Sequence, residues 1–199
     1  MLRVVGDAPD TTWLRHVRLE HGATLSTMGE VRNLDPATNP VVLEDVELHD
    51  ARIELGTAGS RIDGLSAEGG GENAIIGAAP LLRLTGPGIV AQHVFIQDAP
   101  RVGIELSGDD ILLAGCQVTG SAGDGILVLD GAGIRIRDCN LLGNAGAGVS
   151  NVGADPVDAT GNWWGDAAGP DGPEGDGVAG NVQFDPWLTT PVVLPGASS

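Results

Sequence analysis

Apolar residues recur along the chain in short alternating runs that repeat every 22 or 23 residues. Three consecutive copies begin at Ile89, Ile111 and Ile134, and a fourth begins at Val157. Counted from the first residue of each copy, the apolar positions fall at offsets zero, two, five, seven and fifteen. Alternation predicts short β-strands with one buried face, and equal offsets of successive copies are expected to stack.

The same frame extends towards the N-terminus, where further copies start at Thr12, Val41 and Ser60. These copies are 29, 19 and 29 residues long, so the first and the third carry extra chain. In the third copy the frame places Ile75 at offset fifteen. Seven copies share offsets two, five and seven, which predicts a stack roughly 33 Å long at ~4.8 Å per strand.

A change of phase within each copy predicts where the chain turns. Residues at offsets two and five cannot share one face of a straight strand, so a corner is expected between them. Gly103, Gly125 and Gly148 precede the third run and are expected to supply a bend. Three strands and three corners per copy predict an all-β, single-domain parallel β-solenoid (a β-helix) of about seven coils. A leucine-rich repeat has a similar period, but offsets ten to fourteen hold poor helix formers.

Composition narrows the class of protein further. The 199 residues include 32 glycines, no tyrosine and no lysine, so the core must come from repeated aliphatic side chains. Ten Lys+Arg against 27 Asp+Glu give a net charge of -17, which opposes binding to nucleic acid or to an anionic membrane. No apolar run approaches the ~20 residues of a membrane helix.

The repeat also sets the expected domain boundaries. Residues 1–11 are a lead-in, 12–164 are the parallel β-helix, and 165–199 are a Gly/Asp/Pro-rich capping segment and tail. The lead-in has neither the apolar stretch of a signal peptide nor a capping helix, which favours a truncation point or an N-terminal neighbour domain. Cys116 and Cys139 share offset five, and we expect two buried, reduced thiols with no metal.

Segments 111–128 and 134–149 resemble the right-handed parallel β-helix repeat of pectate-lyase-like proteins. Segment 161–188 reads GNWWGD, then GP, GDGV, GNV and FDPWL, and is similar to the closing segment of many exported β-helix proteins. The resemblance covers about residues 12–188 and implies a right-handed helix outside the cytoplasm. Such proteins include polysaccharide lyases, hydrolases, epimerases, adhesins and modules without assigned activity, so the fold alone does not choose a function.

A polar row on the outward side of the first strands is the candidate site. It holds carboxylates, imidazoles and Phe95, a combination that suits a sugar or a metal ion. The resemblance implies lyases that use Ca²⁺ and an Arg or Lys base, and this chain has no Lys. The alternative is a solvated polar face without a ligand. The catalytic candidates are Arg15, His49, Asp50, His93 and Asp98.

Two acidic segments offer further chemistry. Asp109 and Asp110 are adjacent carboxylates of the kind that hydrolyse glycosides when held across a cleft, but Asp is also a common turn residue. Segment 165–177 carries oxygen ligands that suit Ca²⁺, a possible cofactor, although its spacing matches no EF-hand; the alternative is a solvated loop. The calcium candidates are Asp166, Asp171, Glu174 and Asp176.

Three residues near the end of the repeat are expected to be structural. Asn162 shares offset five with the two cysteines and is expected to bond the backbone of the neighbouring copy. Trp163 and Trp164 alternate, so one of them should point inward and close the apolar end.

These observations favour a non-catalytic β-helix module of an exported or cell-surface protein, either structural or carbohydrate-interacting. The tight copies from Ile89 onward leave no long loops to wall a substrate groove, which argues against an enzyme. The alternatives are a polysaccharide-active enzyme, a lyase rather than a hydrolase, and a subunit that stacks end to end. The expected partners are a polysaccharide, a second copy or a neighbour domain.

Overall fold

The computed structural model describes residues 12–20, 24–26, 40–49, 51–69 and 79–195. Within these ranges the chain is all-β and contains no helix, as the alternation of apolar residues predicts. In chain order the strands are β1 (Thr12–Arg15), β2 (Arg18–Glu20), β3 (Thr24–Ser26), β4 (Val41–His49), β5 (Arg52–Leu55), β6 (Arg61–Glu68), β7 (Leu82–Leu84), β8 (Val90–Gln97), β9 (Ile104–Leu106), β10 (Leu112–Ala114), β11 (Gln117–Thr119), β12 (Ile126–Val128), β13 (Arg135–Arg137), β14 (Asn140–Leu142), β15 (Val149–Asn151), β16 (Val157–Asp158), β17 (Val178–Gly180) and β18 (Val182–Gln183).

The strands form two sheets, and the strand pairs of the described residues are parallel. The seven-stranded sheet has the order β3, β5, β7, β9, β12, β15, β17. The eleven-stranded sheet has the order β1, β4, β6, β8, β10, β13, β16, β18, with β2 beside β4, β11 beside β8 and β14 beside β11. Because the chain alternates between the sheets, most strands pair with their equivalents in the adjacent copies.

The register of the eleven-stranded sheet follows the repeat frame. Leu113 pairs with Ala91 on one side and with Ile136 on the other, and all three are offset-two residues. Val118 pairs with Leu141 at offset seven. All five side chains are buried, so the predicted stacking of equal offsets is confirmed for these copies.

The seven-stranded sheet agrees with the frame at one end and corrects it at the other. Ile126 pairs with Ile104 and Val149, the three predicted offset-fifteen residues. The other partner of Ile104 is Leu82, so the assignment of Ile75 to this column is wrong. The extra chain of the third copy precedes its third strand and delays it. Ile75 itself lies outside the described residues.

The core is aliphatic along its length and aromatic at one end. Leu43, Ile62 and Leu84 are among its largest fully buried side chains, and each such burial stabilises the fold by about 1.5–3 kcal/mol. Trp164 is also fully buried, as predicted for one of the two tryptophans, and its ring meets Phe184 edge to face at 6.5 Å. Each copy adds only a few apolar residues, so the buried core depends on stacking.

The predicted corner between offsets two and five is present, and its backbone is left-handed. Aspartate, histidine and glycine tolerate positive φ better than other residues, and they are the types found here. The residues at offset four are His16 (φ 52°), Asp45 (51°), Gly64 (81°), His93 (52°), Gly115 (60°), Asp138 (54°) and Gly161 (71°).

Gly103, Gly125 and Gly148 lie at bends of the chain, as predicted, although none of them has a positive φ. They are needed because the backbones of adjacent copies approach closely. A Cβ on Gly103 would lie 2.7 Å from the carbonyl oxygen of Gly125, and one on Gly125 would lie 2.9 Å from that of Gly148. A side chain at either position would push neighbouring copies apart.

Both sheets continue beyond Trp164. Val178 of β17 pairs with Val149, and Val182 of β18 pairs with Val157. The segment predicted as a cap therefore contributes one strand to each sheet as well as Phe184, which packs on Trp164.

Candidate functional site

The outward face of the eleven-stranded sheet carries the predicted polar row, because alternate residues of each strand point away from the core. Most of its ionisable groups pair between adjacent copies, and Arg61 and Asp63 also pair within β6. The pairs between copies are Arg15–Glu44, His16–Asp45, Arg18–Glu47, His49–Glu68, His93–Asp63 and Arg137–Asp158, and those of the histidines are ion pairs only when the imidazole is protonated.

Arg15 lies on β1, at the edge of this sheet. Its Nε is 2.6 Å from Oε2 of Glu44. Its guanidinium carbon also lies 4.3 Å from the ring centroid of Trp13, whose side chain is 51% exposed. Arg15 is therefore held by a carboxylate and an aromatic ring, and Trp13 is the large exposed aromatic surface of the row.

His49 lies at the end of β4. Its Nδ1 is 3.6 Å from Oε2 of Glu68, the residue that pairs with it in the adjacent strand β6. Asp50, the neighbouring catalytic candidate, lies outside the described residues.

His93 belongs to a cluster of four linked polar side chains. Its Nδ1 lies 2.8 Å from Oδ1 of Asp63, and Oδ2 of Asp63 lies 3.6 Å from Nη2 of Arg61. Arg61 in turn donates a hydrogen bond of 2.8 Å to Oε1 of Gln92. Sequence reasoning missed Asp63, although its offset lies next to that of His93 in the repeat frame.

Asp98 of the row and the separate pair Asp109 and Asp110 lie at corners and turns. Asp98 has φ 51° and accepts a hydrogen bond of 3.3 Å from Nε2 of Gln97. Asp109 accepts a 2.9 Å hydrogen bond from the amide of Ala132 in the next copy, and Asp110 has φ 54°. Asp is a common residue at such corners and turns, so these positions account for its occurrence there.

The structure does not bring the described catalytic candidates together. Arg15, His49 and His93 lie on β1, β4 and β8, and each one faces its own carboxylate partner. Throughout the described ranges, no group of three or more His, Cys, Asp or Glu side chains is placed to hold a metal ion.

The four calcium candidates also differ in what their side chains contact. Asp166 Oδ1 accepts from the amide of Ala168 at 2.8 Å, which closes a local turn. Asp176 is only 5% exposed, and its Oδ2 accepts from Nδ2 of Asn144 at 2.6 Å. Burial raises the pKa of Asp176, against the hydrogen bonds from Asn144 that favour its ionised form. Asp171 and Glu174 are exposed on the loop between them.

The seven-stranded sheet holds a charged triad that the sequence did not indicate. Glu54, Arg83 and Glu105 are register partners on β5, β7 and β9. Nη1 of Arg83 lies 3.6 Å from Oε1 of Glu54, and its Nε lies 2.7 Å from Oε1 of Glu105. Glu105 is buried, and a buried carboxylate is costly without a partner of opposite charge, which the guanidinium of Arg83 provides here. The sequence signal for this triad is the alternation of negative and positive charge at one position of successive copies. The repeat frame concealed it, because the frame placed the third strand of the copy that begins at Ser60 at the wrong residues.

No known family model, curated protein or solved structure matches the chain. The described residues include no helix that is long and apolar enough to cross a membrane.

Proposed function

We propose that the chain is a right-handed parallel β-helix of about seven coils. It acts as a non-catalytic module, structural or carbohydrate-interacting, outside the cytoplasm. The regular alternation between two parallel sheets supports the coil, since equal offsets pair from one copy to the next. The strong preference of parallel crossover connections for one hand supports the right-handed winding.

The pairing of the catalytic candidates carries the proposal of a non-catalytic role. General acid–base chemistry needs two groups that converge on one reacting bond. Here three of the four described candidates, Arg15, His49 and His93, lie on different strands, and each faces a carboxylate of the adjacent strand. Such pairs hold neighbouring copies in register on an exposed face.

An exposed aromatic residue supports the carbohydrate-interacting variant of this role. The ring of Trp13 offers an apolar face on which a sugar can stack, beside the hydrogen-bond donors of Arg15. The net charge of -17 opposes an anionic glycan, so a neutral polysaccharide is the better ligand.

The test of the non-catalytic role is an assay for turnover. The protein should release neither unsaturated nor reducing ends from pectin, alginate or polygalacturonate, with or without Ca²⁺. Turnover that is abolished by Arg15→Ala or His49→Ala would replace this proposal with the polysaccharide lyase.

A separate assay distinguishes the two non-catalytic roles. Trp13→Ala should abolish retention on an insoluble neutral polysaccharide, whereas Val152→Ala, at another exposed apolar residue, should not. Equal retention of the two variants would exclude the Trp13 face as the sugar site and leave the structural role.

A further inference from the structure

The last part of the described chain, residues 186–194, forms a strap that runs back along the outside of the eleven-stranded sheet. The amide of Gly161 donates a 2.7 Å hydrogen bond to the carbonyl of Pro186. The amide of Leu188 donates one of 2.9 Å to the carbonyl of Asn162. Further contacts follow in the copies that begin at Ile134 and Ile111, so the strap proceeds in the opposite direction to the repeats.

Asn140 clamps the main chain of the strap. Its Nδ2 donates to the carbonyl of Val192 at 2.9 Å, and its Oδ1 accepts from the amide of Val192 at 2.8 Å. One side-chain amide thereby satisfies both backbone groups of one residue, as a neighbouring β-strand would. Such a clamp reads the backbone of an extended peptide and not its side chain.

A contact surface for an apolar side chain lies two residues beyond Val192, the residue that Asn140 clamps. Leu194 is 9% exposed, whereas the preceding Val193 is 96% exposed, so alternate side chains of the strap point towards and away from the sheet. A methyl group on Gly115 would lie 3.8 Å from Cδ2 of Leu194 and 3.5 Å from Cδ2 of His93. Because Gly115 has no side chain, Leu194 lies against the sheet surface at this position, beside His93.

We propose that Asn140, Gly115 and His93 form a docking site for an extended peptide with an aliphatic side chain two residues after the clamped position. The chain's own strap occupies this site in cis. The strap presents both required features, an amide and a carbonyl at Val192 that bond the side chain of Asn140, and an aliphatic side chain at Leu194. A peptide of the same pattern from a partner protein would compete for the same contacts. The site is distinct from the sugar face proposed at Trp13 on β1.

The test uses full-length protein whose strap is released by Val192→Pro, because proline has no amide hydrogen to donate to Asn140. A labelled synthetic peptide with the sequence of residues 189–195 is added, and binding is measured by fluorescence anisotropy. We expect the Val192→Pro protein to bind it. We expect the wild-type protein, whose site is filled, and the Asn140→Ala Val192→Pro double variant, whose clamp is absent, to bind it at least about tenfold more weakly.

Peptide variants keep the test independent of protein folding. A peptide with alanine in place of Leu194 should bind the Val192→Pro protein at least about tenfold more weakly, whereas one with alanine in place of Val193 should bind as well as the original. Val193→Pro is the matched control for the proline, because the hydrogen bonds from the strap to Asn140 are made by Val192, and it should leave the site closed. Binding that depends on neither Asn140 nor Leu194, or no binding to the Val192→Pro protein, would overturn the proposal.

Discussion

The sulfur of Cys139 lies 3.4 Å from the amide nitrogen of Cys116, one copy away, and accepts its hydrogen bond. The thiol of Cys116 in turn faces the carbonyl oxygen of Ala114 at 3.5 Å. Each sulfur thus contacts the backbone, and both cysteines are free and buried, as the shared offset predicts. The two residues fill the core and satisfy main-chain groups at the corner.

We expect both thiols to be unreactive in the folded protein. Neither side chain is accessible, and burial raises the pKa of the Cys139 thiol well above its usual value, which disfavours the reactive thiolate. Titration with a thiol reagent should detect no cysteine in the native state and two after denaturation without a reductant. Zero thiols after such denaturation would show a disulfide and contradict the assignment.

Much of this fold follows from the sequence because burial fixes the register. A slip of one residue would turn Val118 and Leu141 outward, so the apolar pattern permits only one way of pairing them. The repeat frame fails where a copy has extra residues, because the number of extra residues does not show where in the copy they are inserted. The error at Ile75 also hid the column that joins Arg83 to Glu54 and Glu105.

The strap could not be predicted for a different reason. Asn140 and Val192 are 52 residues apart, and their contact pairs a side chain with a backbone, which leaves no periodic signal.

The outward row was predicted as a set of residues but not as pairs. Which carboxylate faces His93 depends on side-chain positions at the corner, where the backbone is left-handed.

The stack of buried apolar residues at equal offsets gives the second prediction. Leu141 is fully buried and pairs with Val118, so Leu141→Ala removes apolar contacts and leaves a cavity that the stacked copies cannot fill. The free energy of unfolding, measured with urea, should fall by about 2–5 kcal/mol. Leu129→Ala is the control, because Leu129 is 40% exposed, and it should change stability by less than about 0.5 kcal/mol. Equal effects of the two substitutions would contradict the register.

Asn162 gives the third prediction. Its Oδ1 accepts from the amide of Cys139 at 2.9 Å, and its Nδ2 donates to the carbonyls of Ile136 and Ala159 at 2.7 and 2.8 Å. Asn162→Ala leaves these buried backbone groups without their partner, and we expect a loss of about 2–4 kcal/mol in urea unfolding. Asn181→Ala, at an exposed side chain of the same end, is the control. A loss below about 0.5 kcal/mol in Asn162→Ala would exclude the bridging role.

Asp176 gives a prediction on the pH dependence of stability. Burial raises the pKa of Asp176 in the folded state, so the folded protein binds this proton more tightly than the unfolded chain does. The contribution of Asp176 to stability therefore falls as pH rises from about 4, the unfolded value, through the raised pKa. Urea unfolding of wild type and Asp176→Asn between pH 3 and pH 7 should show wild type losing stability relative to the variant as pH rises. A constant difference, or one of the opposite slope, would contradict the burial effect.

Asp158 gives the opposite pH dependence. Burial disfavours its charge, but two hydrogen bonds from Thr160, at 2.8 and 3.2 Å, and the ion pair with Arg137 outweigh that effect and lower the pKa of Asp158. Its stabilising contribution is present above the unfolded pKa of about 4 and is lost as pH falls through the lowered value. Asp158→Asn should therefore destabilise the protein at pH 7, and the difference from wild type in urea unfolding should shrink below about pH 4. Asp155→Asn, at an exposed side chain of the same end, controls for the loss of one negative charge. If both variants show the same pH profile, the hydrogen bonds from Thr160 and the pair with Arg137 do not stabilise the ionised carboxylate.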